Sequence, residues 1–442
     1  MPPRDERTCF HKVLSYASSP HAAQCKYQQP SEEDRLAATE PKPGSKVAIP
    51  RTRTDIQNFP APLVLPDDDL AVDPDRPQDF QTWLGVRNQV TSRRRTIYVA
   101  CPAVDEHVNP DLRSGAKPEG VWATQQGQIP TQPRMQDVTD FLAAFYHGLP
   151  VKELQSRNCE FTSSTKSSIW LNTQKQRMQI RVRPSPDGLY PYQLNLKDLL
   201  EAAMVMLPSD AHALCLLLDH DLFEDDEDIF VCGRAYGGRR VAVVSTARYN
   251  PLLDGVQGVE EDHPWPVSHC QQFIDDTCRA HGDSRKRPRT TKLSGVDRHS
   301  RGPKNEPPLE AAVAAFVEAS ASTHGTGLPT SSDPSLHSTL WLARVLRTVS
   351  HEIGHCFGIG HCAYYACLMQ GSASLTEDIR QPPYLCPVDL AKVLASTRAT
   401  VADRYAALLQ FCEREKIKDL PHFAAYAAWL KSSLEGERLG WV

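Results

Sequence analysis

The chain has 442 residues, with 49 Lys and Arg against 54 Asp and Glu and a formal net charge of −5. That near balance points away from a nucleic-acid binder or a membrane-surface protein, and no apolar run approaches the roughly 18 residues of a membrane-spanning helix. The opening residues lack the apolar stretch of a secretory leader. The expectation is therefore an intracellular protein, whose 13 cysteines serve as thiols or metal ligands rather than disulfides.

Residues 1–80 are rich in Pro, Asp, Ser and Arg without sustained periodicity, which predicts a largely disordered N-terminal extension. RPQDFQTWLG (76–85) reads as a short helix packed on a domain of residues 81–436. RRTIYVAC (94–101) is the first convincing strand. In 131–149 Val138, Phe141, Leu142 and Phe145 share a helical face. PVKELQ and MQIRVR (178–183) read as further strands. A second helix is expected over 195–208, capped by Asn195, then a buried strand over 211–223 that ends in acidic residues. Gly237 and Gly238, between two β-like runs in 230–249, signal a hairpin. The order β-α-β-β-α-β plus hairpin predicts a mixed-sheet domain of the α/β (α+β) class. Residues 250–335 are polar and read as a mostly disordered insertion with an isolated helix near 307–320. The basic run at 285–289 reads either as a nuclear-import address or as a solvated loop, so the expected location is cytoplasmic and, on the first reading, nuclear.

The stretch HEIGHCFGIGHCAYYACLM (351–369) carries the chemistry. Leu342, Val345, Leu346, Val349, Ile353 and Phe357 form a helical apolar stripe. His351 and His355, four apart, lie one turn apart on another face and can share one zinc ion. Glu352 can reach a water at that ion without being a ligand. Gly358 can end the helix in a left-handed conformation and turn His361 back as a third ligand. Three protein ligands leave a fourth position open, the catalytic pattern.

HExxHxxGxxH with a later methionine resembles the metzincin peptidases, and the continuation through Cys362, Cys367, Met369 and Cys386 resembles the archaemetzincins. RTIYVAC, STARY, ACLMQGS and LCP add to that resemblance, which spans roughly 78–404. It implies a mixed-sheet upper subdomain, an active-site helix and a small helical lower subdomain. It also implies Met369 as an apolar pedestal under the ligands, and a second, structural zinc on four cysteines. Three match, but position 389 is Asp389. The alternatives are a three-cysteine, one-aspartate zinc site and three reduced thiols in a packed subdomain.

The function expected is a zinc-dependent peptidase acting on a peptide or protein, with Glu352 as general base. The resemblance suggests aminopeptidase-type action. The competing reading is an intracellular peptide-binding or scaffold protein that keeps zinc but turns over little. Residues 232–238 are the candidate substrate-binding edge strand. The acidic run 219–228 is either a partner for a substrate amine or a solvated loop. Tyr364, Tyr365 and Tyr384 read as packing residues rather than oxyanion donors. Cys356 falls on the apolar side of the helix, which argues against a cysteine nucleophile. Oligomeric state and natural substrate leave no mark in the sequence.

Overall fold

The structure, a computed structural model, describes residues 9, 11, 13–41, 56–73, 76–104, 115–119, 129–155, 159–165, 168–281, 306–323 and 334–438. Its centre is a five-stranded sheet in the order Gly233–Tyr236, Val241–Ser245, Ala211–Leu218, Thr96–Ala100, Val151–Leu154. Neighbours run parallel except the first pair, which is the antiparallel hairpin. Successive side chains point to opposite faces. Thus Ala213, Cys215 and Leu217 enter one core with the helices Met135–Phe145 and Pro334–Cys356, while Leu214, Leu216 and Leu218 enter a second core with the helix Leu196–Met206. A strand covered on both sides needs a continuous apolar run, which AHALCLLL supplies. Asn195 caps its helix as the sequence suggests, its side chain accepting from the Asp198 amide at 3.2 Å.

A four-stranded sheet, Ala103–Val104, Cys159–Thr165, Ser168–Thr173 and Arg177–Ile180, adds Phe161, Ile169 and Leu171 to the second core. Its central hairpin escapes the sequence reading because polar Ser, Thr and Lys outnumber the few inward apolar positions. Beyond residue 358 the chain is helical: Leu375–Arg380, Pro387–Thr397, Val401–Cys412 and Pro421–Arg438. Among the described residues no helix is long and apolar enough to cross a membrane.

Two expectations of disorder need correction. Within 1–80, residues 13–41 and 56–73 form a strap over the lower subdomain. Tyr27 donates to the Ala363 carbonyl at 2.7 Å, Gln29 to that of Tyr364 at 2.7 Å, and the Ala366 amide to Pro60 at 2.9 Å. Asp68 and Arg380 form a buried ion pair at 2.5 Å, and Phe59 packs edge-on against Tyr365, Tyr384 and Trp429. Such a strap is held by isolated side chains and extended backbone, so it carries no periodic signal. Within 250–335, residues 251–281 are folded, and the helix Pro308–Thr323 lies on the C-terminal helix Pro421–Arg438 with Leu309 and Ala312 fully buried. Small apolar residues let it pack closely while keeping its composition unlike a core segment. The basic run 285–289 lies outside the described residues.

His212 lies wholly buried on a central strand, its ring 4.2 Å from that of Phe357 and both nitrogens without a partner. Burial, then the charges of Arg240 and Arg94, push it down to about 3. The unfolded chain takes up this proton near pH 6.5, before the folded chain does. The His212 contribution is therefore complete above about pH 6.5 and is lost as pH falls toward 3. His212→Leu should lose less stability than the parent between pH 7.5 and 5, read from urea unfolding at both values. Identical losses would exclude His212 as a source of acid lability.

Candidate metal centre and cleft

The helix Pro334–Cys356 crosses the sheet with Val345, Val349, Ile353 and Cys356 fully buried beneath it. It ends in a Schellman turn. Gly358 has φ +80°, its amide donates to His355 at 2.9 Å, and the Ile359 amide donates to Gly354 at 3.3 Å. These bonds occupy carbonyls that a helix end leaves open. Three side chains from the segment 78–88 complete the job. Asn88 donates to Cys356 at 2.8 Å and to Gly237 at 2.6 Å, Trp83 donates to Phe357 at 3.0 Å, and Gln78 donates to Gly358 at 3.1 Å while accepting from the Gly360 amide at 3.0 Å. The helix Phe80–Val86 that carries Trp83 is the one expected near 76–85.

Past this turn His361 meets the two helical histidines. One ring nitrogen from each of His351, His355 and His361 lies within 4.8 Å of the others. His351 donates from Nδ1 to the Leu368 carbonyl at 2.8 Å, and His355 from Nδ1 to Ile359 at 2.7 Å. A carbonyl only accepts, so both Nδ1 atoms carry hydrogen and both Nε2 atoms present lone pairs. Those Nε2 atoms are 3.0 Å apart. Lone pairs so close demand a shared proton or a cation. Burial, followed by the charges of His355 and His361, holds His351 well below its ordinary range, so protonation is disfavoured and a metal ion fits. Carbonyl partners on Nδ1 are the usual outer support of metal-bound histidine.

Glu352 is 8% exposed on the same helix, and burial pushes its carboxyl up to about 8 against the pull of His361 and Arg234. His351, Glu352, His355 and His361 line a cleft of about 1110 Å³ whose other wall is the sheet edge Gly233–Tyr236. The hairpin expected at Gly237 is present, with a tighter reason for its glycine. A Cβ there would lie 2.4 Å from the His355 carbonyl oxygen, so only glycine lets the edge strand press on the helix end.

Met369 is fully buried under the helix, where a Cβ on Gly354 would lie 2.5 Å from its sulfur. Cys362, Cys367, Cys386 and Asp389 converge close by, all at most 2% exposed, with ligand atoms within 4.8 Å of one another. Asp389 splits its carboxylate: Oδ1 pairs with Lys392 at 2.8 Å, while Oδ2 lies 3.3 Å from the Cys367 sulfur and 3.6 Å from that of Cys386. Burial, then the charge on Cys362, pushes Asp389 up to about 7. Burial opposes ionisation of Cys362, yet the Cys367 and Cys386 thiols that face it hold it well below the usual range. The four residues fit a soft or borderline cation.

Tyr364, Tyr365 and Tyr384 are buried and absent from the cleft wall, as packing residues should be. Cys356 is fully buried and burial pushes its thiol up, so it offers no nucleophile. In the acidic run Asp228 accepts the Glu224 and Asp225 amides, whereas exposed Glu227 reaches the cleft wall. The sequence reading missed Asp69. Its Oδ2 and His361 Nδ1 lie 2.1 Å and 2.9 Å from the point a Cβ on Gly371 would occupy. Glycine at 371 thus leaves the room in which a strap carboxylate approaches the third histidine. No motif flags a lone aspartate nearly 300 residues upstream.

A family model described as Peptidase family M54 matches residues 333–393. Archaemetzincin-2 of Homo sapiens is 24% identical over 80% of this chain and 75% of its own length. Archaemetzincin-2 of Rattus norvegicus is 42% identical over a shorter stretch, 19% of this chain and 23% of its own. Among solved structures, the zinc-dependent peptidase from Methanocorpusculum labreanum aligns over 67% of this chain and 99% of its own, with 16% identity and a TM-score of 0.31.

Gly358→Ala tests the turn. The new Cβ would sit 2.8 Å from the Arg87 Cα in a left-handed backbone, and that conformation alone costs about 1–2 kcal/mol. A loss of at least about 2 kcal/mol is expected in urea unfolding. Gly238→Ala, with nothing within 4 Å of the added carbon, is the control and should change little. Equal effects of the two would discard the account of the turn.

Proposed function

Since this chain belongs to the archaemetzincin family and is a zinc metallopeptidase, we propose that His351, His355 and His361 hold its catalytic zinc and that Glu352 is the general base. The observation that carries this reading is the pair of Nε2 lone pairs 3.0 Å apart, each fixed by a carbonyl on the opposite nitrogen, at the floor of a cleft. When bound, zinc supplies Lewis acidity that polarises a peptide carbonyl and makes water nucleophilic near neutral pH. The chain's residues do the rest. The exposed edge Gly233–Tyr236 offers backbone donors and acceptors that hold a substrate extended, as an added strand. Glu352 takes the proton from the attacking water. As the water oxygen joins the carbonyl carbon and the carbon–nitrogen bond breaks, Glu352 passes that proton to the departing amine. Met369 holds the ligand loop up against the helix.

Aminopeptidase-type action on short peptides is the finer reading. Its support is Glu227, an exposed carboxylate on the cleft wall suited to a free substrate amine. A second zinc on Cys362, Cys367, Cys386 and Asp389 is the finer reading of the cofactor. Asp389 offers it one oxygen, since Lys392 engages the other.

Glu352→Gln should keep zinc and lose about 10²- to 10⁴-fold in peptidase kcat/KM. Undiminished turnover would assign the proton transfer elsewhere.

Asp389→Cys should tighten the second site, because thiolate suits zinc better than carboxylate, and Asp389→Ala should loosen it by opening one position. The readout is zinc retained after mild chelation in parent and both variants. The same retention in all three would remove Asp389 from the ligand set.

A further inference from the structure

A third group of metal-binding side chains lies where the N-terminal strap meets the segment before the helix Gln271–His281. Leu14 bridges Cys270, the Ser15 amide donates to His269 at 2.8 Å, and the Gln271 amide donates to Val13 at 2.9 Å. Beside these bonds, ligand atoms of Cys9, His11 and His263 lie within 4.8 Å of one another. The Cys270 sulfur is 2.9 Å from that of Cys9.

The imidazoles are set as ligands are. His263 donates from Nδ1 to Glu260 at 3.1 Å, and Glu260 is itself fixed by the amides of Asp262 and His263 at 3.0 and 3.2 Å. The opposite nitrogen, Nε2, is buried with no partner, and so is Nδ1 of His11. The His263 ring is locked by stacking on Phe273 at 4.1 Å. A carboxylate behind one nitrogen and a bare lone pair on the other is the arrangement of metal-bound histidine. His11 adopts φ +49°, a conformation an L-residue keeps only where its surroundings insist. The two sulfurs, 2.9 Å apart, are farther apart than the roughly 2.05 Å of a disulfide.

We propose that Cys9, His11, His263 and Cys270 bind a zinc-type divalent cation, separate from the cleft, which fastens the N-terminal strap to the body of the protein. Cys9, His11 and His263 already converge, and the Cys270 thiol beside Cys9 supplies a fourth ligand once it turns onto the ion; four protein ligands leave no position for water, so the site is structural. Binding releases the thiol protons and shields both sulfurs.

Two measurements on the full-length protein test this. Zinc is counted in the parent and in Cys9→Ser, His11→Ala and His263→Ala after reconstitution with zinc ion alone. Each variant should hold about one equivalent less than the parent and keep peptidase activity. Alkylation of the parent, mapped by peptide, needs no variant to fold. Cys9 and Cys270 should react about tenfold faster or more after chelation, and added zinc should restore protection. Zinc counts equal to the parent's would overturn the site, as would alkylation indifferent to chelator. A Cys9–Cys270 disulfide in the purified protein would do the same.

Discussion

Everything about the centre depends on one reversal of the chain. A helix carrying His351 and His355 can place two imidazoles side by side, but a third ligand needs the backbone to turn within three residues. Gly358 is the only type of residue that can do this where it stands. Its φ is +80°, and the backbone of Arg87 lies where any side chain would begin. The carbonyls freed by the turn are met by Gln78, Trp83 and Asn88. Those residues precede the first central strand, so the segment 78–88 and the active-site helix stabilise one another. The same turn starts the lower subdomain, and Met369 and the Cys362 cluster follow within it.

At position 389 an aspartate stands where the resemblance implies a cysteine, and a buried lysine stands beside it. A fourth thiolate would bring a full negative charge into a buried cluster, whereas Asp389 shares its charge with Lys392, itself 1% exposed. Lys392 also donates to the Gln78 carbonyl at 2.6 Å and to its side-chain oxygen at 3.1 Å. Gln78 in turn holds the Gly358 turn, so the cluster and the histidine centre share a residue. Burying an ion pair is costly unless its remaining bonds are met, and here they are.

How far the sequence disclosed this follows from the range of each signal. The active-site motif is legible because its constraints are local. Spacing on one helix, a glycine stop and a third histidine all fall within eleven residues. The central strands are legible because burial on one or both faces imposes a pattern. The Cys159–Thr165 hairpin lacks that contrast. The strap leaves no pattern at all, since Tyr27, Asp68 and Asp69 act singly on partners hundreds of residues away. Asp69 beside His361 is the sharpest case. Its meaning depends on the absence of a side chain at Gly371, and neither residue is remarkable on its own. The helix Pro308–Thr323 is legible as a helix but not as packed, because alanines dilute the apolar contrast of the face that carries Leu309 and Val313.

The strap also has a consequence for how the protein is made. Tyr27 and its partner Ala363 are 336 positions apart, so at about 5–20 residues per second the ribosome needs roughly 20–70 s to deliver the second after the first. Through that interval Phe59, whose partners Tyr365, Tyr384 and Trp429 all lie downstream, has no surface to cover. The central sheet can form in the meantime, since its strands and the helix Leu196–Met206 lie upstream of residue 250. The strap is thus synthesised before the central sheet and completes its packing after it. Its apolar residues are a natural target for chaperones that hold nascent chains, and a pause late in translation would prolong that exposure.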